Sequence, residues 1–502
     1  MKIGLVGSGY VGLVAGACLA ELGHEVTLVD TDRDKIAALQ RSKCPIHERF
    51  LPELLQRHGN RRLAFTSDLK EAVRSSQVVF VAVGTPSKED GCADVSYVES
   101  VTSGIASAIR DYKAIVVKCT VPVYTSHWIR RVLLLNGAPA PLFDVASNPE
   151  FLREGSAVSD FLYPDRIVLG VDNDHCARLL QQVYEPLVDG SYYSRLDAIP
   201  GPAAVQCPTR LICTSTKSAE LIKHASNAFL AMKISFANSL ANVCEAVEAD
   251  VEQVCEGVGA DSRIGYRFLH PGVGYGGSCL PKDLLAFRAV ARENGCHFGL
   301  LDETIRVNEE QQGRFLRKIQ RALWNLKGKN LAVLGLAFKN GTDDVRESPA
   351  ISIIKALLRE GCSITAYDPA AMVRATDLLP KHSVRFAADA YEALRGADAC
   401  VVLTEWEDFG ALDLGRMKEL MRYPIVIDGR NMFSPDCMEA AGLNYYSVGR
   451  PDVMGAKRSS TLATESVSRT SNGAHPESHS TIGAAISRDG ARPASGPTDE
   501  RP

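Results

Sequence analysis

Short apolar runs alternate with amphipathic segments along the first 170 residues of the chain. The amphipathic segments, for example residues 13–22 and 68–74, repeat their apolar positions with a helical period. The apolar runs have the length of buried strands and cover residues 3–6, 25–29, 63–65, 78–83, 114–118, 144–146 and 166–169. Strand–helix alternation at this spacing predicts an α/β domain with a mostly parallel, doubly wound sheet.

A long helical pattern follows an irregular stretch. Residues 189–210 contain "AIPGPAAVQCPTR", which predicts a loop or insertion that we interpret as peripheral. Residues 215–256 then form the longest helical pattern, with neither Gly nor Pro. Its richness in Ala, Ser and Asn is typical of a buried connector between domains or of an oligomer interface.

The strand–helix alternation resumes after this helix. Apolar runs at residues 331–334, 363–367, 399–403 and 425–427, with a helical pattern over 351–359, predict a second α/β domain. Beyond residue 450 there is no aromatic residue, and such a segment cannot offset its chain entropy. We therefore predict two Rossmann-like doubly wound domains joined by a long central helix, plus a disordered C-terminal tail. The predicted boundaries are 1–210, 211–325, 326–450 and 451–502.

The composition is that of an ordinary globular protein. A chain of 502 residues exceeds what one core holds, and its net charge of −4 gives no electrostatic reason to bind nucleic acid or a membrane surface. We recognise no secretory leader and no apolar run long enough to cross a membrane. The 14 cysteines contain no C-x-x-C pair, so we predict reduced thiols and a cytoplasmic location. The 11 histidines form no cluster with ligand spacing, so no metal site is predicted.

A glycine-rich turn follows the first predicted strand. Gly7, Gly9 and Gly12 form G-x-G-x-x-G, which lets backbone N–H groups approach a pyrophosphate at a helix N-terminus. Asp30 ends the second predicted strand, where a carboxylate binds ribose hydroxyls and repels a 2′-phosphate. This favours NAD, although Arg33 nearby leaves NADP open.

Polar tails follow other predicted strands. Residues 83–87 ("VGTPS"), 119–122 ("CTVP") and 147–155 ("SNPEFLREG") stand at carboxyl ends of strands, which border one crevice in an open α/β sheet. A second turn, residues 332–348, follows a strand of the second domain but lacks the three-glycine spacing. It is consistent either with a decayed Rossmann half or with binding of another nucleotide-like group.

Cys279 lies in the glycine-rich stretch "GYGGSCLPKD". A thiolate is useful when an aldehyde must be oxidised, because its addition makes the carbon a hydride donor and leads to a thioester. Flanking glycines allow substrate and nicotinamide to approach closely. Lys282 and Asp283 could respectively stabilise a thiolate and orient a water.

Two residues of the long helix fit the same chemistry. Lys223 and Asn227 are four residues apart and share one face, and burying that pair is costly unless it meets a partner. Directed at one oxygen, the two donors would stabilise an oxyanion. Glu150, in "SNPEF", is a candidate acid/base.

These motifs together resemble the UDP-glucose/GDP-mannose dehydrogenase family, the nucleotide-sugar 6-dehydrogenases, over residues 1–448. The motifs that carry the resemblance are "GSGYVGLV", "VGTPS", "CTVP", "SNPEFLREG", "PDRIVLG", "ELIKHASNAFLA", "GVGYGGSCLPKD", "GLAFKNGTDDVRESPA" and "DGRN". The resemblance implies an NAD-dependent four-electron oxidation of a sugar C6 hydroxyl to a carboxylate, with two NADH released. It also implies two Rossmann-type domains, the second binding UDP, and assembly as a homodimer or larger homo-oligomer.

The resemblance assigns residues to three roles. Catalysis is implied for Cys279 as nucleophile and for Lys223, Asp283, Glu150, Asn227 and Thr120. NAD contacts are implied for Gly7, Gly9, Tyr10, Val11, Gly12, Asp30, Lys35, Thr85, Pro86, Thr120, Glu154, Lys282 and Arg346. Sugar-nucleotide contacts are implied for Glu150, Phe151, Leu152, Lys223, Asn227, Arg263, Tyr275, Gly276, Phe338, Lys339 and Arg430.

Three hypotheses compete at this point. UDP-glucose is the favoured substrate, and the nearest alternative is the same chemistry on another nucleotide sugar such as GDP-mannose, since the Cys279 loop does not separate the two. A two-electron dehydrogenase with an incidental cysteine would form one NADH per substrate. A nucleotide-binding or redox-sensing module would show no turnover.

Overall fold

The computed structural model of the chain describes residues 1–88, 91–202 and 209–455. The first sheet contains eight strands: β1 (Lys2–Val6), β2 (Glu25–Val29), β3 (Leu63–Thr66), β4 (Val78–Val81), β5 (Lys113–Val117), β6 (Phe143–Ser147), β7 (Arg166–Gly170) and β8 (Arg210–Thr214). Their order is β3-β2-β1-β4-β5-β6-β7-β8. Pairs are parallel except for β6 with β7. This order confirms the predicted doubly wound sheet.

Eight helices belong to the same part of the chain: α1 (Tyr10–Glu21), α2 (Arg33–Gln40), α3 (Leu51–His58), α4 (Leu69–Ser75), α5 (Ser96–Ala106), α6 (Thr125–Leu135), α7 (Ala157–Leu162) and α8 (Asp174–Val188). Several begin at a side chain that accepts a backbone N–H of the first turn, as Asp32, Asp68 and Asn173 do. The apolar face of α1 packs on the sheet, where Leu13 and Leu19 are fully buried.

The central part is helical and consists of α9 (Thr216–Val247), α10 (Val251–Gly259), α11 (Leu280–Glu293) and α12 (Gly299–Leu323). The prediction of one unbroken helix over residues 215–256 is therefore wrong. The chain leaves α9 at Glu248, whose φ is 60°, and Asp250 then caps α10 by accepting the N–H of Glu252. No glycine or proline marks this break, so the only signal in the sequence is the cap residue.

The second sheet, unlike the first, is parallel throughout. Its strands are β9 (Asn330–Leu334), β10 (Ser363–Tyr367), β11 (Val384–Phe386), β12 (Ala399–Val402), β13 (Ile425–Asp428) and β14 (Asn444–Ser447), in the order β11-β10-β9-β12-β13-β14. The helices are α13 (Pro349–Arg359), α14 (Met372–Leu378), α15 (Ala390–Leu394), α16 (Glu407–Gly410), α17 (Leu414–Leu420) and α18 (Pro435–Ala440). The prediction of two Rossmann-like domains is confirmed.

Edge strands account for most of the remaining differences. β8, β11 and β14 lack a long apolar run, and none of them is buried along its whole length. Because β8 pairs with β7, the first sheet extends past the predicted boundary at residue 210. Residues 451–455 lie beside β14, where Val453 pairs with Tyr445. The rest of the predicted tail lies outside the described residues.

No helix in the described ranges is both long and apolar enough to cross a membrane.

Candidate active site

The glycine turn after β1 leaves room for a phosphate. Gly7 has a φ of +104°, and a Cβ at Gly12 would stand 1.9 Å from the Gly7 carbonyl oxygen, so both positions need glycine. A Cβ at Gly9 would meet nothing within 4 Å, which leaves the space before α1 open. No side chain caps α1 at this end. The free N–H groups of Tyr10, Val11 and Gly12 therefore fit the pyrophosphate of NAD.

Asp30 stands at the end of β2 beside this turn. Its Oδ2 accepts the Ser8 N–H at 2.8 Å and the Ser8 hydroxyl at 2.5 Å, and Lys35 Nζ lies 4.0 Å away. Burial would raise the pKa of Asp30, but the hydrogen bonds from Ser8 and Asp32 outweigh it and lower the pKa. An anionic carboxylate here suits ribose hydroxyls.

The tails of β4 and β5 meet at the same edge of the sheet. The Thr85 hydroxyl, next to Pro86, donates to the Thr120 carbonyl at 2.8 Å. The Tyr10 hydroxyl bonds to Glu48 and accepts the Gly155 N–H at 2.7 Å, which ties the start of α1 to the loop after β6. The structure thus brings the predicted cofactor contacts of this sheet to one crevice.

Cys279 immediately precedes α11, at the end of a loop that packs on the second sheet's domain. A Cβ at Gly276 would stand 2.2 Å from the Glu347 carbonyl oxygen. At Gly277, whose φ is +85°, it would stand 2.7 Å from the Phe338 ring. The missing side chains of these glycines therefore make room for the protein itself, and their role in giving the substrate access stays a prediction.

Two buried pairs of polar groups accompany Cys279. Lys223 Nζ lies 2.9 Å from Glu150 Oε1. Asn227 donates to Asp283 Oδ2 at 2.6 Å, and Lys282 Nζ lies 2.7 Å from Asp283 Oδ1. Lys223 and Asn227, which share a face of α9, therefore each meet the partner that their burial requires.

The charges around the Cys279 thiol shift its pKa in opposite directions. Burial raises the pKa of Cys279 to about 11, the carboxylates of Glu150 and Asp283 add to the rise, and the Lys223 ammonium opposes it. Burial alone would lower the pKa of Lys223, but Glu150 and Asp283 outweigh it and raise the pKa. The cation that favours a thiolate is thus Lys223. Lys282, for which we predicted that role, is paired with Asp283.

Cys279 opens into a cavity of about 1460 Å³, which exceeds the usual volume of a small-ligand pocket. Nine predicted sugar-nucleotide contacts line it: Phe151, Leu152, Lys223, Asn227, Tyr275, Gly276, Phe338, Lys339 and Arg430. Glu150 lies behind Lys223. Arg263 does not line the cavity, and its exposed guanidinium pairs with Asp261 at 2.6 Å.

A carboxyl group lies on the other side of the Cys279 loop. Glu154 Oε1 accepts the Ser278 hydroxyl at 3.0 Å and lies 3.3 Å from Arg346, while Ser278 Oγ is 3.5 Å from Cys279 Sγ. Burial raises the pKa of Glu154 to about 7, and the charge of Asp344 adds to the rise. Glu154 and Arg346, both predicted NAD contacts, therefore approach the thiol.

The turn after β9 is closed by the protein's own carboxylate. Asp368 Oδ2 accepts the N–H groups of Leu336 and Ala337 at 2.7 and 3.0 Å, and the carboxylate is fully buried. These are the donors that a dinucleotide phosphate would need. Of the two interpretations left open for this turn, the decayed Rossmann half describes its backbone, while Phe338 and Lys339 just beyond it line the cavity.

Several residues at the site were not predicted. Ser278 links Glu154 to the thiol, and Glu220 and His224 are buried on α9. The segment interpreted as peripheral also reaches the cavity, which Tyr193 and residues 200–202 help to line. His224 stands within the quoted motif "ELIKHASNAFLA", so its place beside Lys223 was a usable signal. Nothing in the segment's composition indicated contact with the cavity.

Comparison with known proteins agrees with this site. Family models described as "UDP-glucose/GDP-mannose dehydrogenase family" match as NAD binding domain (residues 1–188), central domain (217–310) and UDP binding domain (332–435). The UDP-glucose 6-dehydrogenase of Rhizobium meliloti (strain 1021) is 45% identical over 90% of this chain and 100% of its own. UDP-glucose 6-dehydrogenase TuaD of Bacillus subtilis (strain 168) is 41% identical over 91% and 95%.

Solved structures give the same result. A UDP-glucose dehydrogenase from Pyrobaculum islandicum matches with a TM-score of 0.80 and 34% identity over 89% of this chain and 98% of its own. A UDP-D-ManNAc dehydrogenase from Pyrococcus horikoshii matches with a TM-score of 0.76 and 26% identity over 90% and 99%. The chain therefore belongs to the UDP-glucose/GDP-mannose dehydrogenase family and is an NAD-dependent nucleotide-sugar dehydrogenase.

Proposed function

We propose that the protein oxidises UDP-glucose to UDP-glucuronate through a covalent intermediate on Cys279. The observation that carries the proposal is the thiol at the cavity wall with Lys223 and Glu150 on one side and Asn227 and Asp283 on the other. A simple alcohol dehydrogenase has no use for a nucleophile in this position, whereas oxidation of an aldehyde to an acid does.

UDP-glucose is the substrate favoured by the relatives, since the Rhizobium and Bacillus proteins carry that name. Lys339 and Arg430 supply positive charge for a diphosphate at the cavity wall. The alternative is the same chemistry on another nucleotide sugar, and the Pyrococcus UDP-D-ManNAc dehydrogenase has the same fold.

NAD, when bound in the crevice of the first sheet, accepts one hydride in each of two rounds. Lys223 and Asn227 direct their donors at the C6 oxygen and stabilise negative charge on it. The C6 carbon first loses a hydride and its hydroxyl a proton, which gives the aldehyde. Cys279 Sγ then forms a bond to the aldehyde carbon while the thiol proton passes to the carbonyl oxygen, and loss of a hydride and of that proton from the adduct leaves a thioester. Water then breaks the C–S bond, giving the carboxylate and restoring the thiol. Asp283 and Glu150 are the carboxylates that we propose orient that water.

The decisive experiment counts NADH. Full conversion of UDP-glucose should give two NADH per sugar, whereas one NADH would contradict the thioester route.

Cys279→Ser should bind NADH and UDP-glucose like the wild type and yet lose net oxidation by at least ~10³-fold. Turnover at the wild-type rate would exclude covalent catalysis.

Parallel assays with UDP-galactose, UDP-N-acetylmannosamine and GDP-mannose test the sugar, and a clear preference for one of them would overturn the substrate assignment.

We further propose that α9 supports homo-oligomerisation. Phe236, Val243 and Val247 lie on one side of α9 and are 54%, 57% and 65% exposed. Their spacing makes a continuous apolar stripe. A stripe of this kind on an otherwise buried helix is typical of a protein–protein interface.

A further inference from the structure

Buried polar residues run along one side of α9 through two turns. Glu220, Lys223, His224 and Asn227 are 3%, 4%, 1% and 7% exposed. Their spacing of three and four residues places them on one face. Lys223 and Asn227 hold the carboxylates of the active site, as described above. The other two residues have no part in the proposed reaction, and burying them is costly unless they bond to something.

Glu220 caps a neighbouring helix. Its carboxylate accepts the N–H groups of Tyr124 and Ser126, each at 2.8 Å, and the Ser126 hydroxyl at 2.7 Å. The N-cap residue of α6, Tyr124, provides no side-chain cap itself, so a residue of α9 performs this task. An anion at a helix N-terminus is also favoured by the helix dipole.

His224 binds the same segment one turn further along. Its Nε2 lies 2.8 Å from the Val121 carbonyl oxygen, which can only accept, so Nε2 carries the proton. Burial lowers the pKa of His224, which keeps the ring neutral despite the charge of Asp283 nearby. Nδ1 is buried and has no hydrogen-bond partner among the described residues. His224 therefore makes one hydrogen bond to this turn, although leaving the buried Nδ1 without a hydrogen bond costs free energy.

The turn after β5, residues 119–122 (the Thr120 turn), is held by side chains from two other parts of the chain. Thr85, from the loop after β4, bonds to the carbonyl of Thr120, and His224 bonds to the carbonyl of the next residue, Val121. We propose that Glu220 and His224 are positioning residues that fix the Thr120 turn on the NAD side of the site. They thereby hold this turn at a fixed position relative to Lys223 and Asn227 on the sugar side. This rests on the proposed function to the extent that Thr120 borders bound NAD.

The test compares Glu220→Gln, His224→Phe and His224→Gln with Glu256→Gln, which makes the same change as the first variant at an exposed carboxylate of α10. The first readout is the Kd for NADH from its fluorescence, and the second is the set of kcat and KM values for UDP-glucose oxidation. Glu220→Gln and His224→Phe should weaken NADH binding about tenfold, because each removes a buried hydrogen bond from the turn. The KM for UDP-glucose should stay within about twofold. His224→Gln, which keeps a donor, should recover most of the affinity.

Unchanged NADH affinity in both Glu220→Gln and His224→Phe would overturn the proposal. So would a KM for UDP-glucose that rises as much as the Kd for NADH, or an equal effect of Glu256→Gln, because either result indicates general loosening of the fold. If His224→Phe fails to fold, the NADH affinity of Glu220→Gln decides the question, and an unchanged affinity in that variant overturns the proposal. If the wild type does not oxidise UDP-glucose, the proposed function fails, but the NADH comparison remains a separate test of the positioning role.

Discussion

At the scale of single residues, the central fact is a buried thiol with a raised pKa. Burial raises the pKa of Cys279 to about 11, the carboxylates of Glu150 and Asp283 add to the rise, and the Lys223 ammonium and the Ser278 hydroxyl oppose it. Reactive cysteines normally lie in electropositive surroundings. At neutral pH this raised pKa favours the thiol over the thiolate, and Lys223 is the cation that favours the thiolate.

Lys223→Met should make the thiol less reactive still, because the remaining carboxylates raise its pKa further. Carbamidomethylation of Cys279 by iodoacetamide, followed by mass spectrometry, should be slower than in the wild type throughout the range from about pH 7 to about pH 9. In both proteins the rate should rise with pH, since the thiolate fraction increases up to the pKa. The exposed Cys213 is the internal reference. Equal Cys279 rates in both proteins would show that Lys223 does not act on the thiol.

Glu154→Gln should stabilise the protein at neutral pH. The folded-state pKa of Glu154 is raised from 4.5 to about 7, so between these values the folded protein holds a proton that the unfolded chain releases. The free energy of unfolding therefore falls as pH rises through that window and stays reduced above it. Urea unfolding should show a gain of about 1–3 kcal/mol at about pH 8 and little gain at about pH 4. A loss of stability at the higher pH would mean that the Arg346 contact outweighs burial.

At the scale of elements, the segment between α8 and β8 contributes to the cavity from outside both sheets. Tyr192 and Ile199 are fully buried, Ile199 donates its N–H to the Tyr192 hydroxyl at 3.0 Å, and the Tyr163 hydroxyl donates to the Ile199 carbonyl at 2.5 Å. Arg195 holds the segment to the end of α1 through the Glu21 carbonyl at 2.7 Å. The described part of this segment, residues 189–202, is thus a fixed part of the wall.

Gly201→Ala should disturb that wall. An added Cβ would stand 2.4 Å from the Tyr163 ring, so the segment must move relative to the cavity. We expect the KM for UDP-glucose to rise roughly fivefold, a loss of about 1 kcal/mol, while the Kd for NADH stays unchanged. Leu196→Ala is the matched control, because Leu196 is fully exposed on the same segment. An unchanged KM, or an equal change in the control, would remove the segment from substrate binding.

The sequence predicted elements best where burial is two-sided. Strands such as β1 and β4 read as unbroken apolar runs because helices cover both faces, and Gly7 and Gly12 are demanded by backbone geometry alone. The break between α9 and α10 is marked in the sequence only by the cap residue Asp250, and the edge strand β8 depends on contacts made after folding, which no local pattern encodes. The same holds for Gly276, whose neighbour Glu347 is distant in sequence.

At the scale of the whole molecule, the site is assembled from several parts of the chain, among them the crevice of the first sheet, the face of α9, the Cys279 loop and the residues after β9 and β13. Sequence motifs identified most lining residues because each motif sits at a strand end or on one helix face. Arg263 is the exception, since the structure leaves its side chain 87% exposed. The resemblance to the family implies a substrate contact for Arg263, but it does not determine the position of that side chain in this protein.

Substituting the α9 stripe should separate the subunits of the proposed oligomer. Phe236→Glu combined with Val243→Glu would place two charges in an apolar interface, where burying an unpaired charge is costly. Light scattering coupled to size-exclusion chromatography should then show a monomer and the wild type a larger species. Val373→Glu, at an exposed apolar residue of α14, is the control. A wild-type monomer would exclude the proposed assembly.

The attachment of the Cys279 loop to the second sheet's domain has a mechanical consequence. The loop contacts Glu347 and Phe338, and the N–H of Gly277 donates to the Arg346 carbonyl at 3.1 Å. Cys279 itself opens the central helix α11, but its loop is braced by the part of the chain that matches the UDP binding domain. Any shift of residues 338–347 is therefore transmitted to the position of the thiol at the cavity wall.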